Sequence, residues 1–159
     1  MVIIMGSVSN DFWVIRQITA EETLPIRHCV LWPNKTMDEC RVEGDESGEH
    51  FGMFIEGKLI CVASIFIQEL SNARLLSNKQ RIARLRKFAT IEEYQGKGIG
   101  SFVLKHIIDV LQQQCVGMLW CDARENAMTL YQRFGMKAEG ERFFKGDIPY
   151  QKMVVKLPV

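Results

Sequence analysis

The stretch "EEYQGKGIG", residues 92–100, places three glycines at alternate positions, Gly96, Gly98 and Gly100, directly before a segment with helical periodicity. Glycine lacks a Cβ, so it allows left-handed turns of the backbone and the close approach of a ligand to the main chain. The first N–H groups of a helix have no intrahelical acceptor, and they concentrate about half a positive charge at that end. The stretch therefore predicts a loop that binds an anion such as phosphate.

The spacing of the glycines distinguishes three kinds of phosphate-binding loop. The Walker pattern GxxxxGK[ST] is absent from "GKGIGS", and Ser101 stands where the dinucleotide fingerprint GxGxxG needs its third glycine. A dinucleotide loop also follows the first strand of a βαβ unit, whereas this loop follows the fourth predicted strand. The pattern that fits is QxxGxG, formed by Gln95, Gly98 and Gly100. An enzyme that uses the glycines to bind ATP is kept as an alternative.

The chain on both sides of this loop alternates between strand-like and helix-like patterns. The apolar run "FWVIRQI" precedes a helix pattern capped by Thr19, and the apolar runs around Glu56 and Gly57 predict a β-hairpin. Residues 32–49 carry no regular pattern and predict a long loop with one helical turn. Two further helices are predicted from Ile99 to about Gln114 and over residues 124–135, and further strands over residues 81–90, 116–123, 136–144 and 150–157.

Composition restricts the class of protein. The chain has 159 residues, 47% of them apolar and 25% charged, with a net charge of +1, which predicts one globular domain without a general attraction for nucleic acid or anionic membranes. No apolar run reaches the ~18 residues of a membrane span, and the first residues lack the pattern of a secretory signal. The five cysteines contain no CxxC pair and the three histidines show no ligand spacing, so we expect a cytoplasmic protein with reduced thiols and no metal.

Two longer blocks carry a resemblance to a known family. "LRKFATIEEYQGKGIGSFVLKHI" resembles the strand, pyrophosphate loop and helix of the GCN5-related N-acetyltransferase (GNAT) family, and "ARENAMTLYQRFGM" resembles that family's second signature. The resemblance implies an α/β fold with a central mixed, mostly antiparallel sheet of six to seven strands flanked by about four helices, in a single acyltransferase domain over residues 1–159. The segment "LYQRFGMKAEGERFFKGDIPYQKM" further resembles the ElaA-type branch, except that Tyr150 stands where that branch often has histidine.

The resemblance also implies an activity and a set of site residues. In the family, a primary amine attacks the thioester of acetyl-CoA directly in a ternary complex, without an acyl-enzyme. Backbone groups of Phe88, Ala89 and Thr90 are expected to bind the pantetheine arm of this cosubstrate. The other cofactor-binding residues that the resemblance implies are Gln95, Gly96, Lys97, Gly98, Gly100, Ser101 and Asn126.

Tyr131 is the catalytic acid that the resemblance implies. In the second signature a tyrosine lies five residues after an asparagine, as Tyr131 follows Asn126, and its hydroxyl protonates the departing thiolate. An ordinary phenol has a pKa of about 10, so it carries this proton at neutral pH. The alternative is a structural role for Tyr131 on an apolar helix face. For Asn126, the alternative to a contact with the cofactor is a role as a helix cap. For Lys97, the alternative to a contact with phosphate is a lysine that is simply solvated.

The sequence assigns no general base. Glu56, Glu69 and Asp122 lie near predicted strand ends, and a chain of water molecules is a further alternative. Six basic residues between residues 71 and 91 predict either contacts with the phosphates of the cosubstrate or an ion-paired strand. The acid-rich residues 38–49 suggest attraction of a cationic amine.

The predicted partner is a small-molecule or peptide amine. Its pocket is expected to involve the first helix, the acidic loop and the turn near residues 143–150. Neither nucleic acid nor a membrane is expected to bind, and the chain is predicted to act as a monomer or a homodimer. A non-catalytic acyl-CoA sensor or regulatory module on the same fold is the main alternative to an enzyme.

Overall fold

The computed structural model describes residues 2–5, 12–71 and 79–158. The strands are β1 (Val2–Met5), β2 (Phe12–Ile18), β3 (Glu49–Ile55), β4 (Lys58–Ser71), β5 (Lys79–Thr90), β6 (Met118–Arg124), β7 (Lys137–Lys145) and β8 (Ile148–Lys156). The α-helices are α1 (Ala20–Ile26), α2 (Ile99–Gln113) and α3 (Met128–Gln132). A π-helical segment (Arg27–Leu31) continues α1, and short 3₁₀ turns cover Asp38–Cys40, Asp45–Ser47, Glu92–Tyr94 and Glu125–Ala127.

The strands form one mixed sheet in the order β1-β2-β3-β4-β5-β6-β8-β7. The pairing of β5 with β6 is parallel, whereas β1–β2, β2–β3, β3–β4, β6–β8 and β7–β8 are antiparallel. The predicted fold class is confirmed. The eighth strand is β1, which lies in the N-terminal segment. The described residues contain three α-helices rather than about four, because the helical structure within residues 32–48 is limited to two short 3₁₀ turns.

The chain divides into two compact units. The first contains Met1–Phe66 and Lys87–His106, and the second contains Ile67–Arg86 and Ile107–Val159. The single acyltransferase domain predicted over residues 1–159 stays a prediction. None of the helices in the described part of the chain is long and apolar enough to cross a membrane.

In the first unit, α1 begins with the predicted Thr19 cap. The Thr19 side chain accepts a hydrogen bond from the Glu22 backbone N–H, and the Glu22 carboxylate accepts one from the Thr19 N–H, which completes a capping box. Pro25 lies inside α1 and cannot donate to the helical ladder, and the backbone widens to a π-helix two residues later. Ile26 packs in a core cluster with Ile18, Val62 and Ala89.

The hairpin between β3 and β4 has the two-residue turn that its sequence predicts. Glu56 and Gly57 have φ values of 49° and 81°, and Ile55 pairs directly with Lys58. Positive φ at both central residues is the geometry of a type I′ turn, which matches the right-handed twist of the flanking strands. This prediction is confirmed.

In the second unit, β6 pairs with β5 on one edge and with β8 on the other. Leu119, Cys121 and Ala123 are buried and alternate with half-buried residues, so the strand is less evenly buried than its apolar sequence predicts. Further along the chain, Gly135 ends the turn that follows α3 with a φ of 82°. The Gly135 N–H donates to the Gln132 carbonyl at 3.0 Å and the Met136 N–H to the Tyr131 carbonyl at 3.2 Å, which is a Schellman motif.

Candidate active site

The glycine loop connects β5 to α2 within the first unit. Gly96 and Gly98 have φ values of 76° and 83°, in the left-handed region that other residues occupy only at a cost. A Cβ added at either position would meet no atom within 4 Å, so these glycines are required by the backbone conformation and not by crowding. Gly100 differs, because it lies in the first turn of α2.

The N-terminus of α2 supplies the amides that an anion needs. The first intrahelical bond runs from the Phe102 N–H to the Gly98 carbonyl at 3.1 Å. The N–H groups of Ile99, Gly100 and Ser101 precede it, and they are the donors that helix geometry leaves without an intrahelical acceptor. Since Ile99 is buried, it fixes this end of the helix in the core. The helix therefore begins with three donors and the positive end of its dipole.

Gln95 and Lys97 have different surroundings in this loop. The Gln95 Nε2 donates to the Thr90 carbonyl at 2.9 Å, which ties the start of the loop to the end of β5. The Lys97 ammonium is exposed and lies 5.3 Å from the centroid of the Tyr94 ring. Gln95 thus has a structural contact that holds the loop, and Lys97 is a charge at the surface.

The end of β5 has an irregular backbone. Lys87 has a φ of 53°, which is unusual for a lysine inside a strand. Parallel pairing with β6 covers residues 82–84 and 118–120, so Phe88, Ala89 and Thr90 follow the paired segment. The Ala89 side chain is buried in the core cluster, and the Thr90 hydroxyl donates to the Cys61 thiol at 3.3 Å. Two of these three side chains therefore face the interior.

Tyr131 and Asn126 belong to the second unit. Asn126 is exposed in the 3₁₀ turn that precedes α3, so it is not part of the helix that the sequence predicts over residues 124–135. Tyr131 lies in α3 with only 7% of its surface exposed, and its hydroxyl hydrogen-bonds with the Cys121 thiol. The structure thus gives Tyr131 a partner that the sequence did not indicate.

Two buried thiols contact the predicted site residues. Burial raises the pKa of Cys61 to about 12, although the hydrogen bond from Thr90 acts in the opposite direction. Burial also raises the pKa of Cys121 to about 12, with a smaller contribution from the Asp122 charge, while the Tyr131 hydrogen bond opposes the shift. Both thiols are therefore protonated at neutral pH and are poor nucleophiles.

The acids considered as general bases have other partners or an exposed position. The Asp122 carboxylate lies 3.1 Å from the Arg84 guanidinium and 3.8 Å from the Lys145 ammonium. Glu69 lies 3.6 Å from Arg81, and Glu56 is exposed in the β3–β4 turn. The general base therefore stays unassigned.

The basic residues of β5 are largely engaged within the protein. Besides its contact with Glu69, the Arg81 guanidinium donates to the Gln114 carbonyl, and Arg84 pairs with Asp122. These contacts favour an ion-paired strand over a phosphate-binding surface. Arg74 lies outside the described residues.

A buried polar network in the first unit was missed by the sequence reasoning. The Arg27 guanidinium is fully buried and donates to both Asp45 carboxylate oxygens at 2.7 and 2.9 Å, and to the Ser64 hydroxyl at 3.0 Å. His50 lies 2.7 Å from that hydroxyl through Nδ1, and its Nε2 donates to the Asp45 carbonyl at 2.8 Å, since a carbonyl can only accept. The network attaches residues 40–50 to the π-helical segment. Only the separate residue types were visible in the sequence.

Two of the acidic residues of the loop, Asp38 and Asp45, form ion pairs. The Arg41 guanidinium binds the Glu21 carboxylate at 2.6 and 2.9 Å and the Asp38 carboxylate at 2.7 Å, while Asp45 is bound by Arg27. Hydrogen bonding with Arg41 lowers the pKa of Glu21. These pairs reduce the negative charge that the composition of the loop suggests.

Comparisons with known proteins identify the family. The model of the acetyltransferase (GNAT) family matches residues 12–136, and the chain belongs to this family. It is 34% identical over 137 residues to the uncharacterized N-acetyltransferase YitI of Bacillus subtilis, a match that covers 85% of this chain and 87% of the relative. It is 30% identical over 109 residues to the spermine/spermidine N(1)-acetyltransferase of the same organism, a match that covers 66% of this chain and 67% of the relative.

A solved structure has the same fold. A GNAT family acetyltransferase from Elizabethkingia anophelis, determined with acetyl-CoA bound, superposes with a TM-score of 0.66 at 16% identity and covers 91% of this chain and 98% of its own. The family and the enzyme class predicted from the sequence, an acetyl-CoA-dependent N-acetyltransferase, are confirmed. The ElaA-type branch stays a prediction.

Proposed function

We propose that this protein transfers the acetyl group of acetyl-CoA to a primary amine by direct attack, with both substrates bound at once. The observation that carries the proposal is the pair of left-handed glycines, Gly96 and Gly98, that leads into the N-terminus of α2. Glycine occupies the left-handed region without strain, and the missing Cβ atoms leave the main chain of this turn open to the close approach of a ligand. The diphosphate of coenzyme A is an anion of the kind that such helix ends bind.

The first unit contains groups that would bind the diphosphate and the pantetheine arm of the cosubstrate. The N–H groups of Ile99, Gly100 and Ser101 would bind the diphosphate, together with Lys97. Backbone groups of Phe88, Ala89 and Thr90 would hold the pantetheine arm as an added extended chain. The hydrogen bond from Gln95 to the Thr90 carbonyl supports this arrangement, since it joins the two binding segments.

The state of the cysteines supports direct attack by the amine. An acyl-enzyme would need a nucleophile, and the thiols that contact Thr90 and Tyr131 both have a pKa raised to about 12. The amine nitrogen therefore forms the new C–N bond while the C–S bond breaks. In this step the protein positions the two substrates and polarises the thioester carbonyl through a backbone N–H. It also assists the loss of a proton from the amine and the gain of a proton by the departing sulfur.

Tyr131 is the proposed proton donor to the departing sulfur. A positioned general acid contributes roughly a hundredfold to ten-thousandfold to the rate. The base is proposed to be a chain of water molecules, because Asp122 is paired with Arg84 and Glu69 with Arg81. Asn126 is proposed as a further contact for the cosubstrate.

A non-catalytic acyl-CoA sensor is the second candidate, and one observation favours it. Tyr131 is buried with its hydroxyl bonded to Cys121, which leaves less of that hydroxyl available to a thiolate. A sensor would need the glycine loop but not the acid. Binding of acetyl-CoA without turnover of any amine would select this candidate.

Calorimetry and thiol release test the proposal together. Titration of the purified protein with acetyl-CoA is expected to release or absorb heat with one saturable site, and ATP is expected to compete poorly. Release of coenzyme A thiol is then followed across a panel of amines. Absence of binding to acetyl-CoA overturns the proposal, and competition by ATP but not by coenzyme A selects a nucleotide-binding enzyme. The cytoplasmic location and the monomeric or dimeric state stay predictions.

A further inference from the structure

Three hydrogen bonds meet at Thr90, the last residue of β5. The Thr90 hydroxyl donates to the Cys61 thiol at 3.3 Å, and the Thr90 carbonyl accepts from the Gln95 side-chain amide at 2.9 Å. The next backbone N–H, that of Ile91, donates to the Ile60 carbonyl at 3.0 Å. Thr90 is therefore held through its side chain and through both polar groups of the peptide bond that follows it.

The bond from Ile91 shows which edge of β5 each backbone group faces. In an extended strand, the N–H and C=O of one residue point to the same edge, and those of the next residue point to the opposite edge. Because the Ile91 N–H bonds to β4, the backbone groups of Ala89 also face β4, whereas those of Phe88 and Thr90 face away from it. Among the residues proposed to hold the pantetheine arm, these two can therefore pair with an added chain.

Gln95 occupies one of these backbone groups. Its side-chain amide donates to the Thr90 carbonyl, where an amide of an added chain would otherwise donate. The Thr90 N–H is then the last group on this edge that can bind a ligand. Gln95 is also the first residue of the QxxGxG pattern, so the same side chain fixes this N–H relative to the amides at the start of α2.

Cys61 is a rigid anchor for the Thr90 side chain. It is fully buried in β4, a strand that lies between β3 and β5 in the sheet, and it pairs with Met53 of β3. Burial raises the pKa of the Cys61 thiol to about 12, although the hydrogen bond from Thr90 opposes the shift. The bond thus joins two neutral groups, one of which cannot move without disturbing the centre of the sheet.

We propose that Cys61 and Gln95 are positioning residues for acetyl-CoA. They hold Thr90 so that its backbone N–H meets an amide carbonyl of the pantetheine arm while the diphosphate lies at the start of α2. This inference rests on the proposed function and gives a role to a buried thiol that touches neither substrate. Gln95 acts here through Thr90 and not through a direct contact with the cosubstrate. An arm held in this way keeps the thioester in place for attack by the amine.

Two ligands that share the diphosphate test the inference. Acetyl-CoA carries the pantetheine arm, and 3′-phosphoadenosine 5′-diphosphate is the part of the same molecule that lacks it. Calorimetry on the full chain gives the dissociation constant of acetyl-CoA, and displacement of acetyl-CoA gives that of the fragment. A residue that positions the arm affects acetyl-CoA alone, whereas Gly98→Ala in the glycine loop is expected to weaken both ligands.

Variants of the three bonded side chains have defined expectations. Cys61→Ala, Thr90→Val and Gln95→Leu are each expected to raise the dissociation constant of acetyl-CoA about three- to tenfold, the range of one neutral hydrogen bond, and to leave that of the fragment within about twofold. Cys61→Ser keeps an acceptor for the Thr90 hydroxyl and is expected to recover most of the affinity. The double variant Cys61→Ala/Thr90→Val is expected to bind no worse than either single variant, because both substitutions remove the same bond.

Cys40→Ala is the matched control. It removes another fully buried thiol of the first unit, whose sulfur donates to the Thr36 carbonyl, and it is expected to lower stability without changing either dissociation constant. Thr90 and Gln95 are half-buried and exposed, so their variants keep the test available if Cys61→Ala does not fold.

Three results are decisive against the inference. Equal losses for both ligands, or additive losses in the double variant, would show a general effect on the fold and contradict it. Unchanged acetyl-CoA binding in Thr90→Val and Gln95→Leu overturns it and leaves the proposed function intact. Absence of acetyl-CoA binding by the unchanged protein overturns both.

Discussion

Replacing Gly98 with alanine tests the conformation on which coenzyme A binding is proposed to depend. At a φ of 83°, a Cβ costs about 1–2 kcal/mol, and the surrounding space is open, so strain of the backbone is the whole cost. The exposed loop can relax to another conformation, and the ligand must then restore the left-handed turn on binding. At about 1.4 kcal/mol for each tenfold change, the dissociation constant for acetyl-CoA is expected to rise about five- to thirtyfold.

Gly57→Ala is the matched control for this experiment. Gly57 has a φ of 81° and equally open surroundings, but it lies in the β3–β4 hairpin. Its substitution is expected to lower the free energy of unfolding by about 1–2 kcal/mol without weakening acetyl-CoA binding. Calorimetric titration measures the dissociation constants, and urea denaturation measures the stabilities. If Gly98→Ala binds acetyl-CoA as tightly as the unchanged protein, the glycine loop does not hold the diphosphate and the reasoning is refuted.

Three further predictions concern the acid, the buried ion pair and the thiols. Tyr131→Phe is expected to lower kcat about a hundredfold or more, with little change in acetyl-CoA affinity. Steady-state kinetics measures both quantities, and an unchanged kcat would show that Tyr131 is not the general acid. Burial raises the pKa of Asp45, but the hydrogen bonds from Arg27 and from the Val42 backbone N–H, together with nearby positive charge, outweigh burial and lower that pKa. The stability from the pair with Arg27 is therefore present above about pH 4 and is lost as the pH falls through the lower folded-state value. Asp45→Asn should therefore cost about 3–5 kcal/mol in urea denaturation at neutral pH and much less under acid conditions, and an equal cost at both would contradict the pairing. Ellman's reagent is expected to modify only the exposed Cys29 and Cys115 in the native protein and all five thiols after denaturation; early reaction of a third thiol would show that the core opens.

The features that the sequence predicted are those with local causes. The helix cap at Thr19 and the turn at Glu56 and Gly57 each depend on residues within a few positions of one another, and the structure has both. The glycine loop belongs to the same class, because left-handed φ values at Gly96 and Gly98 follow from the absence of a Cβ. Local propensity therefore indicated where the candidate site lies.

The features that the sequence did not predict depend on residues far apart in the chain. Arg27 and Asp45 are 18 positions apart, and nothing in either neighbourhood indicates that a guanidinium will be fully buried. Lys87 and Trp32 are 55 positions apart, and the Lys87 ammonium lies 4.2 Å from the centroid of the Trp32 ring. The role of Tyr131 was implied by a motif, but its contact with Cys121 is a matter of tertiary packing.

The hydrogen bonds of Arg27 limit which sequences can replace residues 32–48, during evolution or by design. Any segment exchanged for residues 32–48 must bring its own carboxylate to the depth of Asp45, because a solitary guanidinium inside the core would destabilise the whole fold. Grafting the equivalent loop from a polyamine-acetylating relative would fail for this reason unless it retained that acid. Substitutions are instead tolerated at the exposed residues 33–39, which lie between the half-buried Trp32 and the buried Cys40.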